Sequence, residues 1–150
     1  ANDDGTDNIN TALGFEALNA NTSGGYNTGI GTYALQSSTT ANYSTAVGYS
    51  SLTSNTTGNG NTAVGYEALD ANTTGVANTA LGQSALGANT TGGSNVAVGR
   101  RSLPSLTSGN QNVAVGATAL EQFTSGNNNT AVVSRPWKSV LVLTILLLAR

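Results

Sequence analysis

Asn61-Thr62-Ala63-Val64-Gly65 is the stretch on which the reading of this chain turns. The same pattern returns every 17 residues, with its first residue at Asn10, Asn27, Ser44, Asn61, Asn78, Asn95, Asn112 and Asn129. A fixed period of this kind marks stacked units that lean on their neighbours, not a globule with one central core. The full unit reads N-T-A-[VLI]-G-x-x-A-L-x-x-N-T-T-G-x-x. Its fourth position is aliphatic in every copy: Leu13, Ile30, Val47, Val64, Leu81, Val98, Val115 and Val132. Its ninth is leucine from Leu18 to Leu120, and its fifth is glycine from Gly14 to Gly116. A second glycine file near the end of the unit is interrupted only by Ala41.

Helical repeats fit this unit badly. A helix pair needs more than ~30 residues, and Gly, Asn and Thr at this density oppose helix. Thr-Ala-Val-Gly alternates as a short strand does, with Thr62 and Val64 on one face and Ala63 on the other. Threonine gives way to Val96 and Val113 in two copies. We therefore expect the Thr/Val file to point inward, beside the aliphatic fourth-position file. Ala68-Leu69 and its equivalents predict a second short strand. Asn-Thr-Thr-Gly predicts the closing turn, where glycine is free to take positive φ. The expected fold is all-β: a parallel β-roll or β-solenoid of about eight 17-residue coils, with two short strands per coil. At ~4.8 Å per coil the rod is roughly 38 Å long. One coil alone buries too little to fold, so stability grows with copy number. The asparagine files read equally well as amide ladders or as turn chemistry.

Composition closes several routes to function. Charged residues are 8% of the chain, and Cys and His are absent. No disulfide or thiolate metal site can form, and the commonest general base is missing. The strict period of Val and Leu argues against a disordered polar tract. Up to Thr130 only Arg100 and Arg101 oppose all seven acids, so the body is a poor match for a phosphate backbone. Glu16, Glu67, Asp70 and Glu121 are spread along the array with no partner for acid–base work. No glycine-rich stretch carries the lysine of a phosphate loop. The chain reads as no enzyme, with no catalytic, cofactor-binding or metal-binding residues. The absence of an opening signal peptide suggests an excised or mature piece.

Three regions follow. Residues 1–9 are an acidic lead-in, where Asp3, Asp4 and Asp7 lack the glycine and final glutamate of a calcium loop. Residues 10–132 are the repeat array. Residues 133–150 are an aberrant hydrophobic tail. Its apolar run of ~11 residues falls short of the ~20 a spanning helix needs, so no membrane insertion is expected. We read this tail as a frameshift. Val133 to Lys138 can be encoded by GTT TCC AGG CCT TGG AAA. One added G turns them into codons for Gly-Phe-Gln-Ala-Leu-Glu, which resembles Gly14-Phe15-Glu16-Ala17-Leu18. With the codons ATA CTG CTG TTG GC after a Thr144 codon ending in A, Ile145 to Ala149 likewise shift into Asn-Thr-Ala-Val-Gly, one residue early against the 17-residue spacing. The nucleotide sequence tests this directly. If the tail is translated as written, its Val and Leu runs cap the last coil or aggregate.

Val96-Ala97-Val98-Gly99 and Val113-Ala114-Val115-Gly116, each preceded by asparagine, resemble the S-V-A-I-G core of the YadA-like head repeat of trimeric autotransporter adhesins. Similar N-T-A-V-G-Y-x-A-L arrays occur in phage and virus tail-fibre proteins. The resemblance covers Asn10 to Val132. It implies a left-handed parallel β-roll, a homotrimer, and an adhesive fibre on a bacterial surface or a virion, anchored through parts beyond this chain. The 17-residue unit is longer than the common head repeat, and Thr stands at most positions where that family has Val. No binding residue of the family carries over.

On the outer side, the sixth position holds Phe15, Tyr49, Tyr66 and Arg100 in four of its copies. This stripe suits trimer packing, or sugars that stack on aromatic rings. Arg100-Arg101 reads as a solvated edge rather than a contact to an acidic glycan or a neighbouring acid. Asn-x-Ser/Thr occurs at Asn21, Asn42, Asn55, Asn72, Asn89 and Asn128, a pattern that comes almost free in this composition. The functional expectation is a structural or adhesive fibre segment that attaches to a host-surface glycan or protein receptor, with no nucleic-acid partner. The alternative is an ice-binding or other surface-binding solenoid. It is disfavoured here because Val96 and Val113 interrupt the threonine file and suggest that it points inward.

Overall fold

A computed structural model describes residues 8–132. The calcium-loop question at Asp3, Asp4 and Asp7, and the frameshift reading of 133–150, lie outside the described residues. The eight strands are β1 (Thr11–Leu13), β2 (Thr28–Ile30), β3 (Thr45–Val47), β4 (Thr62–Val64), β5 (Thr79–Leu81), β6 (Val96–Val98), β7 (Val113–Val115) and β8 (Thr130–Val132). They form one parallel sheet in chain order, β1 to β8. Register follows the repeat: Thr62 pairs with Thr79, Ala63 with Ala80 and Val64 with Leu81. The architecture is a β-solenoid of ~17 residues per coil, as the period demands.

The inner contents of the coil differ from the expectation. The middle residue of the strand points in, and the flanking two point out. Ala46, Ala63, Ala80, Ala97 and Ala114 are fully buried, whereas Thr62 is exposed and Leu81 is 48% exposed. The predicted inward Thr/Val and aliphatic files therefore lie on the outer surface. The core is built from the alanine file, the ninth-position leucines and two asparagine files. Space explains the inversion. A coil this narrow holds one leucine, and the wall facing it admits only a methyl group or glycine.

The Ala-Leu segment is a turn rather than a second strand. Each copy closes with a backbone bond such as Ala34 N–H to Gly31 O at 3.2 Å. Leu35, Leu52, Leu69, Leu86 and Leu103 all take φ between 49° and 53°. The left-handed region costs an L-residue ~1–2 kcal/mol, while burying a leucine contributes ~1.5–3 kcal/mol. Glycine would relieve the strain but leave the coil hollow. The bend before it does need glycine: Gly65 has φ +140°, and a Cβ there would lie 2.6 Å from Gly82 O.

Hydrogen bonds run from coil to coil beyond the strands as well, as in Leu69 N–H to Ala85 O at 3.0 Å and Thr73 N–H to Thr90 O at 2.9 Å. Both readings of the asparagine files hold together. Asn78 Nδ2 donates to Gly92 O at 2.8 Å within its own coil and to Asn61 Oδ1 at 3.2 Å in the coil before. Asn95 and Asn112 continue the ladder at 3.1 and 3.0 Å. A second ladder joins Asn55, Asn72 and Asn89 at 2.8 and 2.9 Å. It stops where Leu106 replaces asparagine, leaving Asn89 Oδ1 without a hydrogen-bond partner.

Candidate functional site on the outer sheet face

Two files cover the outside of the sheet. The second position supplies Thr11, Thr28, Thr45, Thr62, Thr79, Val96, Val113 and Thr130, in parallel register. The fourth position supplies the aliphatic side chains, of which Leu13 is 67%, Ile30 36% and Leu81 48% exposed. Val47, Val64, Val98 and Val115 are half-buried by their neighbours in the file. Neighbouring strands in a sheet lie ~4.8 Å apart. The result is a continuous stripe of β-branched hydroxyls and aliphatic groups with no charge in it.

Two further files flank the strand. Before it stand Ile9, Tyr26 and Tyr43, at 67%, 52% and 67% exposure. After it stand Phe15, Tyr49, Tyr66 and Arg100, all exposed. The predicted stripe is thus on the surface, but it is not one uniform row. Tyr33, from the neighbouring position, joins it: its ring meets Phe15 and Tyr49 edge-on at 5.8 and 5.7 Å. Tyr49 and Tyr66 stack at 5.3 Å, and Tyr26 stacks on Tyr43 at 5.2 Å. Arg100 lies two coils further along and touches none of these rings. The sequence reading missed Tyr26, Tyr33 and Tyr43. Tyr26 and Tyr43 are one period apart and stand directly before Asn27 and Ser44, the first residues of their repeats, which was the available signal.

Charges near the stripe are modest. A hydrogen bond to the Glu67 carboxylate, with the charge of that group, raises the Tyr66 phenol above its ordinary value. Glu16 accepts from Gln36 Nε2 in the next coil. Arg100 and Arg101 are both exposed, as a solvated edge requires, and Arg101 also reaches the neighbouring acid Glu121 at 3.3 Å. Exposed pairs of this kind contribute ~0–1 kcal/mol. Among the described residues no group of His, Cys, Asp or Glu could hold a metal ion, and no helix is long and apolar enough to cross a membrane.

Asn55, Asn72 and Asn89 are fully buried with their amides engaged, so these three glycosylation motifs are closed to modification in the folded chain. The Thr73-Thr74 and Thr90-Thr91 pairs do sit at a turn, where Thr73 Oγ1 donates to Thr90 O at 3.0 Å. Comparison with protein-family models, curated proteins and solved structures gives no match to this chain.

Proposed function

We propose that this chain is a structural segment of an adhesive extracellular or virion fibre, and that it works as a homotrimer joined through the outer sheet face. One observation carries this reading: the aliphatic file that a globular protein would bury stands outside, along the whole sheet. Uncharged stripes of this length mark contact surfaces. Rod-like stacking, and the absence of a catalytic constellation among the described residues, suit a shaft or an adhesive surface better than an enzyme. A host glycan or protein receptor would be met by side chains that vary from coil to coil.

A second reading gains support from the outward threonine file. An ordered row of threonine hydroxyls and methyls on a parallel sheet is a surface that could match an ice or mineral lattice, and the objection that this file points inward no longer applies. Light scattering at micromolar concentration separates the two. The fibre reading expects three times the chain mass. A monomer with thermal hysteresis would replace it with the ice-binding reading.

A further inference from the structure

The two stacked tyrosine pairs differ in what stands beyond their outer faces. Tyr26 and Tyr43 stack at 5.2 Å, and Tyr49 and Tyr66 at 5.3 Å. One face of each ring is turned to its partner, so the other is turned along the rod toward the next residue of its file. Beyond Tyr26 that residue is Ile9, and beyond Tyr66 it is Gln83. Tyr49 is met by the edge of Tyr33 at 5.7 Å. Beyond Tyr43 stands Gly60, which has no side chain. Apart from its chain neighbours, a Cβ built on Gly60 would meet only Ala77 backbone atoms, at 4.0 Å. The next side chain in the file is that of Ala77, two coils or ~9.6 Å from Tyr43. A ring stacked on Tyr43 as rings ordinarily stack, with centroids ~4.5–7 Å apart, has room in this gap. It would take the place that a third tyrosine would fill.

The groups around the gap are polar and uncharged. Asn59 is exposed; its Oδ1 accepts from Asn42 N–H at 2.7 Å, and its side-chain NH2 has no acceptor among the described residues. Thr62, two residues after Gly60, is exposed on the outer face. No charge occurs from Asn42 to Thr45, from Asn59 to Thr62 or from Val76 to Thr79. Glu67 follows the other end of β4 and is engaged by the Tyr66 phenol. We propose that the open face of Tyr43 binds one neutral hexopyranose of a surface glycan, with the Asn59 amide and the Thr62 hydroxyl bonding to its hydroxyls. This rests on the adhesive reading above, and puts the attachment point beside the sheet face rather than on it. A pyranose suits both halves of the site. Its C–H face packs on the ring, and its rim of hydroxyls meets the amide and the threonine. An acidic sugar would call for a cation beside it. The cations among the described residues, Arg100 and Arg101, belong to the repeat that starts at Asn95.

Gly60→Tyr tests the site by filling it with the chain's own ring. Tyr26 and Tyr43 hold φ 61° and 58° at this position and Gly60 holds 67°, so the backbone accepts the substitution. Wild type, Gly60→Tyr and Tyr43→Ala, each with isotope-labelled tyrosine, are titrated with methyl β-D-galactoside, methyl β-D-glucoside and methyl α-D-mannoside. Binding is read by NMR, from magnetisation passed to the sugar and from the ring signals. The expected result is a saturable shift of the Tyr43 ring with one or more of these sugars, with Kd on the order of 1 mM, and binding weaker by about tenfold or more in both variants. If Tyr43→Ala loses its β-sheet circular dichroism, Gly60→Tyr decides alone. Sugar that binds Gly60→Tyr as well as wild type lies elsewhere and overturns the site. No saturable response to any of the sugars overturns it too. A Tyr43 response to an acetylated tetraproline amide alone overturns the sugar and assigns the ring face to a protein partner. The mass from light scattering reports separately on the fibre reading. A monomer that binds sugar through Tyr43 keeps this site and loses the trimer, and a trimer that binds none does the reverse.

Discussion

Leu69 and Leu81 belong to the same array and lie on opposite sides of its wall. Leu69 is fully buried, in a left-handed backbone conformation with φ 52°. Leu81 ends β5 in extended backbone and is 48% exposed. Both files are aliphatic in nearly every copy, and hydrophobicity alone does not tell them apart. What separates them is the residue opposite. The ninth-position leucine faces an alanine methyl across the coil and fills it. The fourth-position residue faces outward, where only another chain or a surface could cover it. In so narrow a solenoid, the alanine between two larger residues marks the inside.

The largest expected effect is the difference between truncating these two leucines. Leu69→Ala should lower stability by about 2–5 kcal/mol, since the coil cannot collapse around the lost volume. Leu81→Ala should lower it by no more than about 1.5 kcal/mol, because half of its surface is already in water. Urea unfolding at a concentration where association is absent measures both through the midpoint. Equal losses would mean that the outer file is part of the core after all. If the outer face joins chains as proposed, light scattering should respond the other way, with Leu81→Ala weakening association while its fold is kept.

Asn78 and Thr79 repeat the comparison with polar side chains. Besides its two donated bonds, Asn78 accepts from Asn95 N–H at 3.0 Å. Asn78→Ala leaves the buried Asn95 N–H without this acceptor, while Gly92 O keeps its bond from Asn89 Nδ2, at a cost of about 1–3 kcal/mol. Thr79→Val should change stability by less than about 0.5 kcal/mol, as Val96 and Val113 already fill this file. If the outer face joins chains, Thr79→Val should also tighten the trimer. A loss of association on adding that methyl group would count against the proposed face.

These pairs show what the residues made legible. The period, the strand, its parallel in-register stacking and the glycine bends were all readable, because a 17-residue repeat forces like to stack on like. Which side of the strand faces in was not readable from hydrophobicity. Thr replaced by Val at two copies looks like burial, yet a β-branched residue suits an exposed strand position equally well. The second strand failed for a related reason. Leucine at positive φ is rare enough that no propensity argument would place it there. The aromatic stripe was read as one row through Phe15, Tyr49 and Tyr66. A second row, at Tyr26 and Tyr43, lies at the other end of the strand, and its one-period spacing was its only signal in the sequence.

The smallest expected effect is at Asp70, a carboxylate the fold holds at a cost. Burial raises its pKa above 3.8, helped by the Glu67 charge and opposed by the backbone N–H groups of Asp70 and Ala71. The folded chain therefore binds this proton more tightly than the unfolded chain does. Stability then falls as pH rises from 3.8 through the raised value, and the penalty is fully present above it. Asp70→Asn removes the charge, so the variant should be slightly more stable than wild type at pH 7. That advantage should vanish near pH 3, where wild-type Asp70 is neutral in both states. Asp70 is about half buried, so solvent screening keeps the gain below that of any core substitution above. Urea midpoints of the two chains at pH 7 and pH 3 decide it: an advantage that grew toward acid would mean the carboxylate is stabilised by its hydrogen bonds rather than strained by burial.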